Sequence, residues 1–219
     1  YRGCNYTEPW FESYSPTMHD AVCGPAEEFS PIGLEGTSAG DPFLKIGVGI
    51  LERLDDQPYD RFRLHKILDE GKRWTETTDT SVRFVHKIDS ATGFGYEYIK
   101  EISICSDNSF CISHILKNCG ERRLEGDVYN HNFFTLGRMQ TGPSRQIVFP
   151  FKPEGDWRTE YTEVGFTDDG IRFTRELSKG ESVFTGNIHE AGKGLEGSTN
   201  GFILSEASNG RSVRMNCAI

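Results

Sequence analysis

The stretch "YEYIKEISICSDNSFCISHIL", residues 96–116, indicates the fold, because a polar turn separates two segments of alternating apolar and polar residues. Alternate residues of a β-strand share a face. One face of the first segment carries Tyr96, Tyr98, Lys100, Ile102 and Ile104, and one face of the second carries Ile112, His114 and Leu116. The stretch therefore predicts an antiparallel hairpin with "SDNSF" at its tip.

The same pattern recurs in "YTEVGFTDDGIRFTREL" (161–177), where Asp169-Gly170 predicts a positive-φ hairpin turn between two apolar-alternating arms. "DVYNHNFF" (127–134) predicts a further strand. Polar turn signals such as "KNCGE" and "SNGR" recur at short intervals along the chain. Short strands separated by such turns are typical of an antiparallel all-β domain.

Two regions are less regular. "RFRLHKILDEGKRW" (61–74) fits either a helix or strands, and the alternation of Phe62, Leu64 and Leu68 favours strands with a turn at Asp69-Glu70-Gly71. Residues 1–42 are rich in Pro, Gly and Ser with little periodicity, so we expect an irregular N-terminal segment of loops and edge strands.

Composition excludes several classes of protein. The 219 residues are 36% hydrophobic and 12% aromatic, enough for a sizeable core, and we expect a single domain over residues 1–219. The net charge of −9, without a dense basic cluster, argues against nucleic acid as a partner. No apolar run approaches the ~18 residues of a membrane span, so no membrane partner is predicted either. No cofactor motif is present, and oligomeric state is left open.

The cysteines indicate an oxidising compartment. There are six, none in a CxxC pair: Cys4, Cys23, Cys105, Cys111, Cys119 and Cys217. Six cysteines allow about fifteen pairings, and the best local prediction joins Cys105 to Cys111 across the hairpin tip. "NYT" makes Asn5 a candidate glycosylation site. A chain that opens on Tyr1 fits a processed form, so we expect a secreted protein.

The segment "VYNHNFFTLG" (128–137) holds the clearest candidate for chemistry. His131 and its alternate neighbours face one way along the strand, and Asn130 and Asn132 face the other. If this strand pairs with the preceding one, His114 and His131 lie within reach of each other on a concave sheet face. Histidine titrates near neutrality and serves as a general acid or base. The alternative interpretation is that each histidine only satisfies a hydrogen bond in the sheet.

Several stretches together resemble aldose-epimerase-like proteins of the galactose-mutarotase-like superfamily. They follow in the same order from Tyr1 to about residue 155: "YRGC" (1–4), "GPAEEF" (24–29), "FLKIGVGIL" (43–51), "GYEYIKEI" (95–102), "ISHILKNCG" (112–120), "YNHNFF" (129–134) and "FPF" (149–151). "YNHNFF" is similar to the strand of aldose 1-epimerases whose histidine protonates the sugar ring oxygen. The resemblance implies an antiparallel β-supersandwich with a carbohydrate cleft on its concave face.

The resemblance also implies functional residues. His131 becomes the acid, and the positions at or near the cleft are Arg2, Lys100, His114, Asn130 and Asn132. The family's C-terminal glutamate base has no clear match. Glu27 or Glu28 then supplies the base, or the chain is not a mutarotase, or it lacks the C-terminal strands. We expect His131, His114 and Glu28 as catalytic residues, with Glu27 and Trp74 among those that bind the substrate.

Three alternatives remain open. The same cleft serves lyases, in which Lys100, Arg2 and Arg83 would offset a uronate carboxylate. A carbohydrate-binding protein without turnover would stack sugar rings on exposed aromatic residues, although core packing is the simpler explanation for most of these: Trp10, Trp74, Trp157, Tyr96 and Tyr98. A metal site built from His114, His131 and Glu28 is the third alternative.

Overall fold

The computed structural model describes residues 26–61, 63–131, 141–157, 160–178, 181, 183, 188–192, 201–206 and 211–216, with residues 26, 129–131, 201–206 and 211–216 described by their backbone alone. Regular structure in these residues is entirely β-strand, and none of them belongs to a helix long and apolar enough to cross a membrane. The sheets are antiparallel, which confirms the all-β prediction and is consistent with a β-sandwich.

The described residues fall into two compact units, 26–131 and 141–216. The prediction of a single domain over residues 1–219 stays a prediction. The strands of the first unit are β1 (Ala26–Phe29), β2 (Pro42–Lys45), β3 (Gly49–Glu52), β4 (Ile67–Asp69), β5 (Lys72–Thr77), β6 (Ser81–Asp89), β7 (Gly95–Ser106), β8 (Ser109–Asn118) and β9 (Val128–His131). They form a β2–β3–β4 sheet, a β5–β6–β7–β8 sheet and a two-stranded β1–β9 ladder.

The core of the first unit lies against one face of the β5–β8 sheet. Its buried members come from β2, β3, β6, β7 and the neighbouring loops: Ile32, Leu44, Ile46, Ile50, Ile88, Phe94 and Tyr96. Burying an aliphatic or aromatic side chain of this size stabilises the fold by about 1.5–3 kcal/mol. Phe29 and Tyr98 are partly buried and pack against this core. Apolar packing therefore holds β1 over the middle of β7.

The predicted hairpin of residues 96–116 is confirmed. Lys100 is the cross-strand partner of His114, and Tyr98 is the partner of Leu116. A disulfide joins Cys105 to Cys111, as predicted, where the ladder shifts register near the turn. Because β8 forms the edge of its sheet among the described residues, this cross-link fixes the end of a strand that has one described neighbour.

The strand interpretation of residues 61–74 is confirmed for Ile67–Asp69 and for the start of Lys72–Thr77, whereas residues 61 and 63–66 are not strand and Phe62 lies outside the described residues. Strands β4 and β5 flank a turn in which Gly71 has φ of 63°, a left-handed conformation that glycine adopts without strain. A Cβ at Gly71 would also collide with the Lys87 carbonyl oxygen. Glycine is therefore required at this turn for two independent reasons.

The second unit contains β10 (Arg145–Val148), β11 (Pro153–Glu154), β12 (Val164–Phe166), β13 (Gly170–Phe173), β14 (His189–Glu190), β15 (Gly201–Glu206) and β16 (Arg211–Asn216). Its larger sheet has the order β12–β13–β10–β15–β16, and β11 pairs with β14. The hairpin predicted in residues 161–177 is confirmed as β12–β13.

The predicted chemistry of that hairpin turn is wrong. Gly170 has no positive φ and is the first residue of β13. It pairs with Val148 of β10, and a Cβ on Gly170 would collide with the Ile147 carbonyl oxygen. Close approach of two strands, rather than turn geometry, requires glycine here.

The pairing assumed for "DVYNHNFF" is wrong as well. Strand β9 pairs with β1, in the register Ala26 to His131 and Glu27 to Asn130, whereas the neighbour of β8 is β7. The backbone register therefore brings His131 beside "GPAEEF" instead of opposite His114.

Candidate functional site

Strand β1 carries two adjacent carboxylates that enter two different environments. Successive side chains of a strand point to opposite faces, so Glu27 and Glu28 diverge. Glu27 points to the β5–β8 sheet together with Phe29, whose ring meets Tyr98 edge-on with centroids 5.3 Å apart. Glu28 points to a cluster of cations on the other side.

The Glu27 carboxylate is the centre of a polar cluster, which comprises Glu27, Tyr98, Lys100 and His114. The Lys100 ammonium lies 3.1 Å from both Glu27 oxygens. The Tyr98 hydroxyl donates to Oε2 at 3.1 Å, and His114 Nε2 lies 3.1 Å from Oε1. The Glu27 side chain is only 9% exposed, so these contacts replace the water that a carboxylate requires.

Register explains how the Glu27 cluster forms. Tyr98 and Lys100 are alternate residues of β7 and share one sheet face, and His114 is the cross-strand partner of Lys100. The ring of Tyr98 also meets that of His114 edge-on, with centroids 6.2 Å apart. Three donors from two neighbouring strands thus converge on one acceptor.

His114 Nε2 faces the Glu27 carboxylate. An ionised carboxylate only accepts hydrogen bonds, so the Nε2–H tautomer of the ring suits this contact. Within the part of the chain that the structure describes, Nδ1 of His114 has no hydrogen-bond partner, and the side chain is 29% exposed. In the neutral ring Nδ1 is an acceptor, which is the arrangement of a general base oriented by a carboxylate.

Tyr98 is held as a hydrogen-bond donor. Burial raises the pKa of its hydroxyl well above the usual range, and the negative charge of Glu27 raises it further. Tyr98 therefore stays protonated through the neutral range. Sequence reasoning named Tyr98 only as an aromatic surface for stacking. Tyr98 lies two residues before Lys100 and therefore on the same sheet face, and this spacing could have indicated that both side chains bind one partner.

Glu28 belongs to a different cluster. Its carboxylate lies 3.3 Å from the Lys45 ammonium and 3.4 Å from the Arg61 guanidinium. Lys45 also donates to the Phe29 carbonyl oxygen and lies over the Tyr59 ring, 5.4 Å from its centroid. Burial lowers the pKa of Lys45, and the Glu28 charge partly restores it. The structure therefore separates Glu28 from His114, with which it was predicted to act.

A third polar group lies deeper in the first unit, where sequence reasoning expected nothing. The Tyr96 hydroxyl lies 2.8 Å from His86 Nδ1 and accepts the Gly47 N–H at 2.9 Å, while His86 Nε2 lies 2.9 Å from the Glu70 carbonyl oxygen. That carbonyl fixes the hydrogen on Nε2, so Nδ1 accepts from Tyr96. Burial lowers the pKa of His86 and raises that of Tyr96 to about 12. This chain of bonds is satisfied throughout and stabilises the core.

The other residues predicted to belong to the site lie apart from the Glu27 cluster or are not fully described. Trp74 is the partner of Val85 on the face of the β5–β8 sheet opposite the Glu27 cluster, and its indole donates to Glu76 at 3.0 Å. Arg83 pairs with the same Glu76 at 3.1 Å. Asn130 and His131 are placed by their backbone in β9, and the positions outside the described residues are Arg2, Asn5 and Asn132.

Metal binding has no support among the residues that the structure describes, where no group of three or more His, Cys, Asp or Glu side chains is arranged to hold an ion. The predicted set of His114, His131 and Glu28 is not fully described, because His131 is placed by its backbone alone. The Glu27 cluster supplies one carboxylate and one imidazole, with an ammonium between them.

Comparisons with known proteins add no identification: no family model, no curated protein and no solved structure matches this chain.

Proposed function

We propose that this chain is a carbohydrate-active protein of the aldose 1-epimerase-like type, with a galactose-mutarotase-like supersandwich and a sugar site at the Glu27 cluster. The proposal is supported by the meeting of several of these motifs at the Glu27 carboxylate. The "GPAEEF" strand contacts "GYEYIKEI" through Tyr98 and Lys100 and "ISHILKNCG" through His114, and it pairs with "YNHNFF" along β9. Motifs that are distant in the chain, and that carried the resemblance, meet around one carboxylate.

The proposed reaction is the interconversion of the α and β anomers of a free aldose. His114 Nδ1 removes the proton of the anomeric hydroxyl, the bond between C1 and the ring oxygen breaks, and that oxygen takes a proton from the acid, a role that the resemblance gives to His131. The open-chain aldehyde then rotates and closes on its other face, with the two proton transfers reversed. Both groups are histidines, which exchange protons near neutral pH without extreme tuning.

The charge balance of the cluster favours this reaction over the elimination catalysed by a lyase. A lyase must offset the carboxylate of a uronate while a base removes the neighbouring proton. Lys100, the cation of the described cluster, is already in contact with both oxygens of Glu27. A neutral sugar has no carboxylate and therefore requires no additional cation.

Anomer exchange, followed by optical rotation or NMR over a panel of free aldoses, tests the proposal. We expect the intact protein to accelerate exchange of at least one aldose, and His114→Gln to lower that rate at least a hundredfold, on the order of a general-base contribution. His65→Gln is the matched control, because His65 contacts Phe43 and Tyr59 instead of the Glu27 cluster. Its rate should stay within about twofold of wild type.

Each negative result of this test points to a different function. No acceleration for any aldose by folded protein removes the epimerase proposal. Ultraviolet absorbance from an unsaturated uronate product supports the lyase instead. Glycan-array binding that persists in His131→Ala, with no product from any sugar, supports a binding protein without turnover.

We also infer that the protein is secreted. The disulfide between Cys105 and Cys111 supports this inference, because such bonds persist mainly in oxidising compartments. Fractionation of the native host culture, followed by immunodetection, tests it. Protein found only in the cytosol, with the two thiols reduced, would contradict it.

A further inference from the structure

We propose that Tyr98 is a positioning residue that fixes the plane of the Glu27 carboxylate in front of His114. This inference deepens the proposed function and rests on it. Tyr98 contacts both members of the pair: its hydroxyl donates to Glu27 Oε2 at 3.1 Å, and its ring meets the His114 ring edge-on. On its other side the ring of Phe29 packs edge-on.

The other contacts of the Glu27 carboxylate differ in whether they distinguish its two oxygens. The two carboxylate oxygens are chemically equivalent and exchange by rotation about the last side-chain bond. Lys100 lies 3.1 Å from each of them, so it neutralises the charge without distinguishing one oxygen from the other. Tyr98 donates to Oε2, and His114 Nε2 lies 3.1 Å from Oε1. The Tyr98 hydroxyl therefore holds the carboxylate in the plane that serves the imidazole.

The hydroxyl is suited to this role over a wide pH range. Burial and the Glu27 charge raise the pKa of Tyr98, so the group remains a donor through the neutral range and well above it. The ring is clamped by Phe29 on one side, which limits its freedom to follow a rotating carboxylate. A phenylalanine at position 98 would keep this packing and lose only the hydrogen bond.

Tyr98→Phe and Tyr96→Phe form a matched pair for the experiment. Both remove one hydroxyl from the same face of β7, but the Tyr96 hydroxyl contacts His86 and Gly47 instead of Glu27. The first readout is the Nε2–H proton resonance of His114 by NMR, assigned by its disappearance in His114→Gln. We expect a sharp resonance in wild type and in Tyr96→Phe, and in Tyr98→Phe a resonance broadened by exchange with water.

The second readout is steady-state anomer exchange with D-glucose and D-galactose as probes. We expect Tyr98→Phe to lower kcat roughly tenfold to a hundredfold, as for loss of a hydrogen bond to a charged group, while KM stays within about twofold. Thermal unfolding identifies a variant that fails to fold, and Tyr98→Met then provides a second apolar side chain without a strong donor at this position.

The outcomes separate the two proposals. An unchanged His114 resonance in folded Tyr98→Phe overturns the positioning role, whatever the rates. Equal broadening in Tyr96→Phe overturns it too, because the effect would then be a general loosening of β7. If wild type exchanges neither sugar, the proposed function fails with these probes, and the contrast between the two resonances still decides whether Tyr98 positions the pair.

Discussion

Glu27 Oε1 lies 3.1 Å from His114 Nε2, although β1 and β8 belong to different sheets and share no backbone hydrogen bonds. The contact is set by packing of the Phe29 and Tyr98 rings, which hold β1 over β7. The pair is therefore a tertiary feature, and its geometry depends on side chains from three strands, β1, β7 and β8.

The neighbouring carboxylates allow a direct test of which one serves the site. Glu27→Gln removes the charge that lies 3.1 Å from the Lys100 ammonium, which is 18% exposed, and weakens the acceptor for His114. We expect a loss of about 2–3 kcal/mol in the free energy of unfolding and at least a hundredfold fall in the rate of anomer exchange. Urea denaturation and polarimetry measure the two effects.

Glu28→Gln is the control for that variant. It removes a carboxylate of similar burial that contacts Lys45 and Arg61, so a comparable loss of stability is expected. Its exchange rate should stay within about threefold of wild type, because Glu28 lies outside the Glu27 cluster. Equal loss of rate in both variants would contradict a specific role for Glu27, and a larger loss in Glu28→Gln would assign the role to Glu28.

The sequence predicts features that depend on residues close together in the chain better than features that depend on contacts between distant segments. The hairpin of residues 96–116 and its disulfide follow from alternation and a short polar turn, which are local. The partner of β9 does not, because a strand of four residues carries no information on which distant edge it meets. Similarly, Glu27 and Glu28 look alike in "GPAEEF", and only the packing of Phe29 decides which of them reaches His114.

The buried Tyr96 hydroxyl predicts a loss of stability at high pH. Its pKa is about 12 in the folded protein and 10 as its ordinary value, so folding disfavours the ionised form. This contribution is fully present below pH 10 and is lost as the pH rises through 12. It amounts to on the order of 2 kcal/mol.

Urea denaturation at intervals from pH 9 to 12 measures this effect. Tyr96→Phe should start less stable by about 1–3 kcal/mol, because it leaves Gly47 N–H and His86 Nδ1 without their partner, and should lose less over that range. Parallel curves for the two proteins would show that Tyr96 ionises as an exposed tyrosine does.

His86 predicts the opposite dependence, at low pH. Burial lowers its pKa below 6.5, so the unfolded chain takes up a proton before the folded protein does. The contribution of neutral His86 is therefore present above pH 6.5 and is lost as the pH falls through the lowered value. His86→Gln keeps a donor for the Glu70 carbonyl and an acceptor for Tyr96 without titrating, and should flatten the stability curve between pH 7 and 5. A slope identical to that of wild type would exclude His86 as its origin.

The Cys105–Cys111 disulfide closes a short loop, with a sequence separation of 6. Chain entropy gives such a loop about 2 kcal/mol of stabilisation, since short loops lose little freedom on closure. Replacing both cysteines by serine should lower the free energy of unfolding by about that amount, measured in urea. Cys119→Ser is the control, because Cys119 is an exposed free thiol, and its change should stay within about 0.5 kcal/mol. If the double variant is as stable as wild type, the β7–β8 register holds without the cross-link, and the bond contributes nothing to the fold.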